Sequence, residues 1–224
     1  ENFRSYRISK ALDEIGYEIP STYTDPVWIK SNDLTLAQKI SRFSSSKNQN
    51  FLSMLNVKYI FSSFRLPNFK LVYQTAATEK NIPIYIYENQ EVMPRIFFAK
   101  YVKFITSEDV FSELLKVKNF RELTLIECQK DCPVQSSKFQ ILNSVVIEEF
   151  QPQLVRIKTQ GEGWIVYSDA NLPTWEAYVD GQGVMIYTAN YLFKSVFVPK
   201  GEHEIIFKYP NLWGQFKYAF KNIF

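Results

Sequence analysis

The sequence of residues 163–181 is GWIVYSDANLPTWEAYVDG, and this stretch decides the fold class of the second half of the chain. From Trp175 to Val179, every second residue is apolar and lies on the same face of an extended chain. The stretch ends in Asp180-Gly181, a pair of residues that favours a two-residue hairpin turn. The stretch therefore predicts antiparallel strands joined by tight turns.

Similar short strands, separated by glycine-containing turns, are predicted on both sides of this stretch. The predicted strands are residues 141–150, 154–159, 164–168, 175–179, 184–188, 192–198 and 203–209, and the turns are residues 160–163, 180–183 and 199–202. Short strands at such regular spacing are typical of an antiparallel β-sandwich or jelly roll.

The first part of the chain mixes helix and strand signals. Helices are predicted over residues 9–15, 34–43 and 110–117, strands over residues 57–61, 69–73, 82–87 and 123–127, and a polar loop over residues 44–50. The fold class we predict is therefore α+β, with a mixed α/β portion over residues 1–135. A β-sandwich portion over residues 136–224 follows, and we expect it to lead toward a membrane helix.

Composition excludes several classes of function. The 224 residues include a single histidine, so a multi-histidine metal site is excluded, and we expect no metal and no cofactor. The net charge of +3 comes from basic residues spread evenly along the chain, which argues against a nucleic-acid partner. No phosphate-binding loop, dinucleotide motif or nucleophile elbow occurs, so we assign no catalytic residue.

Two cysteines lie close together, Cys128 and Cys132. This spacing allows a disulfide if the turn between the two residues brings their Cα atoms within about 7 Å. Reduced thiols without a role are the alternative. An oxidising compartment favours the disulfide.

Three groups of motifs, in order along the chain, resemble the C-terminal extracytoplasmic domain of the bacterial YfhO-like membrane proteins. The matching segments are FLSMLNVKYI at residues 51–60, YEN at 87–89 with MPRIF at 93–97, and the run from GWIVYSD at 163–169 through PTWEAYVDG at 173–181, ANYLFKSVFVPKGEHE at 189–204 and FKYP at 207–210. The departure is Thr174, where the family usually has glycine before the tryptophan.

The resemblance implies a multi-pass membrane parent similar to glycosyltransferases that use lipid-linked sugars, with a role in glycosylating cell-envelope polymers. It places this chain outside the cytoplasm, tethered to the membrane, with the parent's transmembrane part and an envelope glycan as partners. The catalytic carboxylate of such an architecture lies in an early membrane-adjacent loop. The absence of an initiator Met is interpreted as an excised segment, with a processed mature protein as the alternative.

Four residues are candidates for contact with a ligand: Asp169, Trp175, Asn190 and Trp213. Asp169 either contacts a ligand or caps the following loop, whereas Asp180 is interpreted as a turn residue. Trp164 and Trp175 are expected in the core, since aromatic residues on alternating strands usually pack inward.

Three single residues complete the sequence-based expectations. His203 is expected to be structural. Arg95 and Lys58 interrupt apolar strands and are expected to extend their charged ends to water or to pair with an acid.

Two other functions remain open. The excess of aromatic residues on a sandwich-like fold also suits a non-catalytic carbohydrate-binding module. A purely structural or interaction domain, which holds a membrane protein together, is the third reading.

Overall fold

The computed structural model describes residues 45–75, 83–128, 132 and 144–210, and isolated positions before residue 45. It is a β-rich α+β fold, with 53% of the described residues in strands and 12% in helices. The chain divides into two compact units, Glu1–Pro94 and Arg95–Phe224. We expected a boundary between residues 135 and 136; the units divide earlier because strands from residues 101–127 join the sheet of the second unit.

The helices and strands are named here in chain order. The first unit contains β1 (Tyr17–Glu18), β2 (Trp28–Ile29), α1 (Ser46–Met54), β3 (Tyr59–Ser62), β4 (Lys70–Thr75) and β5 (Ile84–Glu88). The second contains β6 (Ile96–Phe98), β7 (Tyr101–Ile105), α2 (Val110–Leu114), β8 (Leu123–Glu127), β9 (Ser144–Gln151), β10 (Leu154–Ala170), β11 (Glu176–Val179), β12 (Gln182–Val184), β13 (Tyr187–Ala189) and β14 (Phe193–Lys208).

In the first unit, α1 begins inside a predicted loop. The loop predicted over residues 44–50 is wrong from Ser46 onward, because the Ser45 hydroxyl accepts a hydrogen bond from the Asn48 backbone N–H at 3.3 Å. This N-cap satisfies one of the N–H groups that a helix start leaves unpaired. The helix buries Phe51, and β3, β5 and β4 form an antiparallel sheet in that order.

The second unit is built on one nine-stranded sheet. Its main path runs β12-β11-β14-β13-β8-β7, and β10 pairs with β14, β6 and β9. All pairs are antiparallel except β7 with β8. The sheet's apolar cluster includes Ile157, Ile165, Val196 and Phe207, all fully buried.

Two of the predicted turns are wrong, because β10 and β14 continue through them. Gly161 pairs with Gly201, and the register shifts between Gly161 and Gly163. These three glycines have φ between 137° and 143°, a backbone conformation that residues with a Cβ rarely adopt. The glycines therefore bend the long antiparallel pair of β10 and β14 instead of ending either strand.

The bent pair of β10 and β14 folds back on itself. Phe207 pairs with Val155 at one end of this pair, and Tyr167 pairs with Lys194 near the other end. A straight strand from Val155 to Tyr167 would be about 40 Å long. The rings of Tyr167 and Phe207 nevertheless lie 5.4 Å apart, so the two halves of the β10–β14 pair pack against one core.

Cys128, directly after β8, is joined to Cys132 by a disulfide. The bond closes a short loop, and loop-closure entropy gives such a crosslink about 2 kcal/mol of stabilisation. We expect no free thiols under denaturing, non-reducing conditions. Replacing both cysteines with serine should lower the free energy of unfolding by about 2 kcal/mol or less, measured by urea denaturation. Two free thiols in the wild type would contradict this prediction.

Candidate functional site: a charged and aromatic cluster at Asp169

The most distinctive charged group in the described residues is centred on Asp169, at the end of β10. Lys194 Nζ lies 2.8 Å from Asp169 Oδ1, and an Arg95 terminal nitrogen lies 3.2 Å from Oδ2. The Lys194 ammonium also donates to the Ala170 carbonyl oxygen at 2.9 Å. We call Arg95, Tyr167, Asp169, Trp175 and Lys194 the Asp169 cluster.

Strand register brings these residues together. Tyr167 on β10 pairs with Lys194 on β14 and with Ile96 on β6. The Ser168 N–H donates to the Arg95 carbonyl oxygen at 2.8 Å, which places Arg95 beside the end of β10. The register of β10 then shifts between Tyr167 and Ala170, so Asp169 lies at an irregularity of the strand.

Aromatic rings surround the lysine. Lys194 Nζ lies 3.9 Å from the ring centroid of Trp175 and 4.7 Å from that of Tyr167. The negative face of an aromatic ring attracts a cation, most strongly where water is excluded. Lys194 is fully buried, so Asp169, a backbone carbonyl and two rings together replace its water shell.

The opposite side of the cluster is open to solvent. The side chain of Asp169 is 30% exposed and that of Arg95 is 40% exposed, and Trp175 is half-buried. Burial, and secondarily the charge of Asp169, raise the pKa of the Tyr167 phenol, so this group stays neutral at physiological pH. The cluster thus offers carboxylate, guanidinium and indole groups at its edge, a combination that suits hydrogen bonding to hydroxyl groups.

The candidate residues differ in their surroundings. Asp169 and Trp175 lie in one cluster, bridged by Lys194. Asn190 is fully buried with φ of 46°, and its side-chain oxygen accepts the Leu125 N–H at 2.9 Å, so it serves to attach β8. Trp213 lies outside the described residues.

The two tryptophans expected in the core also differ. Trp164 is fully buried, as predicted, whereas Trp175 is only half-buried. Arg95 pairs with an acid, as expected, and the exposed Lys58 lies over the ring of Tyr59 with its Nζ 5.3 Å from the centroid.

Sequence reasoning missed Lys194. The residue stands inside a predicted apolar strand, next to Phe193 and two residues before Val196. A lysine in such a run signals a buried cation that needs an acid partner, because an unpaired buried charge is costly. Nothing in the spacing of the sequence shows that Asp169 is that partner.

Asp180 and His203 form a second close side-chain pair, separate from the Asp169 cluster. His203 Nδ1 lies 2.6 Å from Asp180 Oδ2, and the Glu204 backbone N–H donates to Oδ1 at 2.9 Å. Asp180 and Gly181, with φ of 51° and 77°, form the predicted hairpin turn between β11 and β12. The pair fixes this turn against β14, so Asp169 and Asp180 contact different side-chain partners.

The Asp180 pair predicts a pH dependence of stability. Hydrogen bonds from His203 and then from the Glu204 N–H lower the pKa of Asp180 below its ordinary value. A lowered folded pKa gives stabilisation that is present above about pH 4 and is lost as the pH falls through the folded value. The advantage of the wild type over Asp180→Asn should therefore be larger at pH 5 than at pH 3.

Urea midpoints at each pH measure this effect. Asparagine accepts positive φ, so the Asp180→Asn turn should still form. Met185→Ala, at a residue that is 69% exposed and does not titrate, is the control, and its difference from wild type should not change with pH. A gap between wild type and Asp180→Asn that stays constant down to pH 3 would refute the prediction.

Within the described ranges, no three His, Cys, Asp or Glu residues are placed to hold a metal ion. No helix in the same ranges is both long and apolar enough to cross a membrane. Comparisons with protein-family models, curated proteins and solved structures found no match.

Proposed function

We propose that this chain is an extracytoplasmic domain of a multi-pass membrane protein that glycosylates cell-envelope polymers, and that it positions the acceptor glycan without catalysing transfer itself. The observation that carries the proposal is the half-exposed Asp169 cluster. Its residues Asp169 and Trp175 fall within the motif run that resembles YfhO-like proteins. The disulfide between Cys128 and Cys132 supports a location outside the cytoplasm.

The cluster has the parts that a glycan subsite needs. The partly exposed side chains of Asp169 and Arg95 suit hydroxyl groups, and the indole of Trp175 offers an apolar surface beside them. Lys194, held by Asp169, keeps this indole in place before a ligand arrives. Preorganisation of this kind lowers the entropic cost of binding.

The proposal also includes a sandwich-like arrangement for the second unit. The contact between Tyr167 and Phe207 supports it, since the two halves of the bent β10–β14 pair share one apolar cluster. In this arrangement the fold-back brings Tyr209, whose ring lies 5.4 Å from that of Trp175, to the edge of the glycan subsite.

Titration of the 224-residue chain with teichoic-acid and peptidoglycan fragments tests the proposal. We expect saturable binding by calorimetry, and binding at least about fivefold weaker for Arg95→Gln, which removes one charged hydrogen-bond donor. Met185→Ala, at an exposed residue between β12 and β13, is the control and should bind as the wild type does. No binding of any fragment up to millimolar concentration, or sugar transfer by the isolated chain, would refute the proposal.

A further inference from the structure

An exposed apolar face covers one side of the β3-β5-β4 sheet in the first unit. Two cross-strand rows define it: Phe61 and Tyr73 both pair with Ile86, and Tyr59 and Lys70 both pair with Glu88. We call Tyr59, Phe61, Tyr73, Ile84 and Ile86 the outer face. Their strand neighbours Tyr85 and Tyr87 alternate to the opposite side and are buried.

The exposure of this face is unusual for a folded protein. Phe61 is 70% exposed, Tyr73 55% and Tyr59 50%. Contiguous exposed apolar groups of this kind mark interaction surfaces.

The edge of β4 is built against strand pairing. The register of β4 with β5 shifts between Leu71 and Tyr73, which is the signature of a bulge, and Lys70 stands at the start of the strand. Bulges and lysines are the devices with which proteins prevent a second chain from adding to a sheet edge. The exposed rings lie on the face of the sheet, so this face and not the β4 edge is the contact surface.

The charges beside the outer face are cationic. Glu88, the acid in the row with Tyr59 and Lys70, is already paired: its carboxylate oxygen lies 3.2 Å from Lys70 Nζ. The exposed Lys58 lies over the Tyr59 ring, with no carboxylate bound to it within the described residues. A partner of complementary chemistry is therefore apolar inside and anionic at its rim.

A lipid surface has this chemistry. Phenylalanine, leucine, isoleucine and valine favour the acyl boundary, tyrosine favours the headgroup level, and lysine or arginine reaches anionic headgroups. A glycan would gain little from the aliphatic members Ile84 and Ile86, which cannot hydrogen-bond to hydroxyl groups. The same face of a second copy of the chain would bring Lys58 toward a like charge.

We propose that the outer face binds the surface of a membrane that contains anionic lipid, with Phe61 and Tyr73 entering the boundary between headgroups and acyl chains. This contact goes beyond the proposed function, and it does not depend on glycan binding by the Asp169 cluster. It assigns to the first unit a peripheral membrane site made of strands.

Cosedimentation with vesicles tests the proposal. The 224-residue chain should sediment with vesicles of phosphatidylcholine containing 30% phosphatidylglycerol and much less with pure phosphatidylcholine. The double substitution Phe61→Ser and Tyr73→Ser should weaken binding at least tenfold, and Lys58→Gln about fivefold, since one cation near an anionic surface contributes that much. Salt should weaken binding of the wild type.

A matched control uses another exposed apolar strand. Val146 and Phe150 on β9 are 59% and 52% exposed, and serine at both positions should leave vesicle binding unchanged. Far-UV circular dichroism and urea midpoints establish that each variant is folded.

Three results would overturn the proposal. They are no sedimentation of the folded wild type with anionic vesicles, an equal loss in the β9 control, or a wild-type dimer that the Phe61→Ser and Tyr73→Ser variant dissociates. Glycan titration of the same variant separates this outcome from that of the proposed function.

Discussion

Replacing Trp164 with alanine is expected to lower the free energy of unfolding of the second unit by about 3–5 kcal/mol, the usual cost of truncating a large buried aromatic side chain. Trp164 is fully buried on β10. Its ring makes edge contacts with Tyr187 at 5.0 Å, Phe104 at 5.7 Å and Phe197 at 5.8 Å between centroids. Alanine would leave a cavity next to the three rings, because backbone pairing fixes the positions of the strands that carry them.

The contacts of Trp164 make relaxation into this cavity unfavourable. Phe104 stands on β7, Tyr187 on β13 and Phe197 on β14, so the ring joins four strands of one sheet. Interiors are close-packed, and backbone hydrogen bonds fix the distance between neighbouring strands. The cost should therefore include the cavity as well as the lost burial of the indole.

Urea denaturation followed by far-UV circular dichroism measures the loss, and hydrogen exchange of the β10 and β14 amides assigns it to the second unit. Trp164→Phe should cost no more than about half as much, since it keeps one ring and removes an indole N–H that has no hydrogen-bond partner among the described residues. A Trp164→Ala loss below about 1 kcal/mol would contradict the packing described for this residue.

Alternation along the chain predicted individual strands of the second unit well. The expected strand over residues 123–127 coincides with β8, and the hairpin turn at Asp180-Gly181 is confirmed. Both depend on local chemistry, because apolar residues on successive positions and a pair that accepts positive φ leave few alternatives.

The glycines at Gly161 and Gly201 show where local chemistry fails. Each was interpreted as a turn, since glycine supplies positive φ in a hairpin. In the structure the two residues pair with each other and bend the long antiparallel pair of β10 and β14. A turn and a bend need the same residue, and only the pairing of distant segments distinguishes them.

The candidate site was predictable in part for the same reason. Asp169 and Trp175 stand close in sequence, within one motif, and are close in space. Lys194 and Arg95 reach Asp169 only through the register of β14 and β6 on β10. No single-sequence pattern gives that register. The sequence can therefore indicate that such charged residues form ion pairs, but not which residues pair with each other.

The ion pairs at Asp169 should respond unequally to the loss of either partner. Asp169→Asn leaves Lys194 buried without its counter-charge and Arg95 close to a second cation. We expect a loss of about 2–4 kcal/mol in the free energy of unfolding, below the value for a fully buried pair because Asp169 is partly exposed. Lys194→Met keeps an apolar chain over Trp175 and leaves Asp169 paired with Arg95, so it should cost only about 1–2 kcal/mol.

The double variant decides whether charge or packing carries the effect. With Asp169→Asn and Lys194→Met combined, no buried cation remains, and the loss should be about 1–3 kcal/mol smaller than the sum of the two single losses. Urea denaturation of the four proteins at one pH and salt concentration gives this coupling energy. Additive losses would mean that Lys194 acts on stability through its packing against Trp175 alone. A coupling of the expected size would mean that the buried ammonium requires Asp169, which makes Asp169 the acid that holds Lys194 against the Trp175 ring at the edge of the proposed glycan subsite.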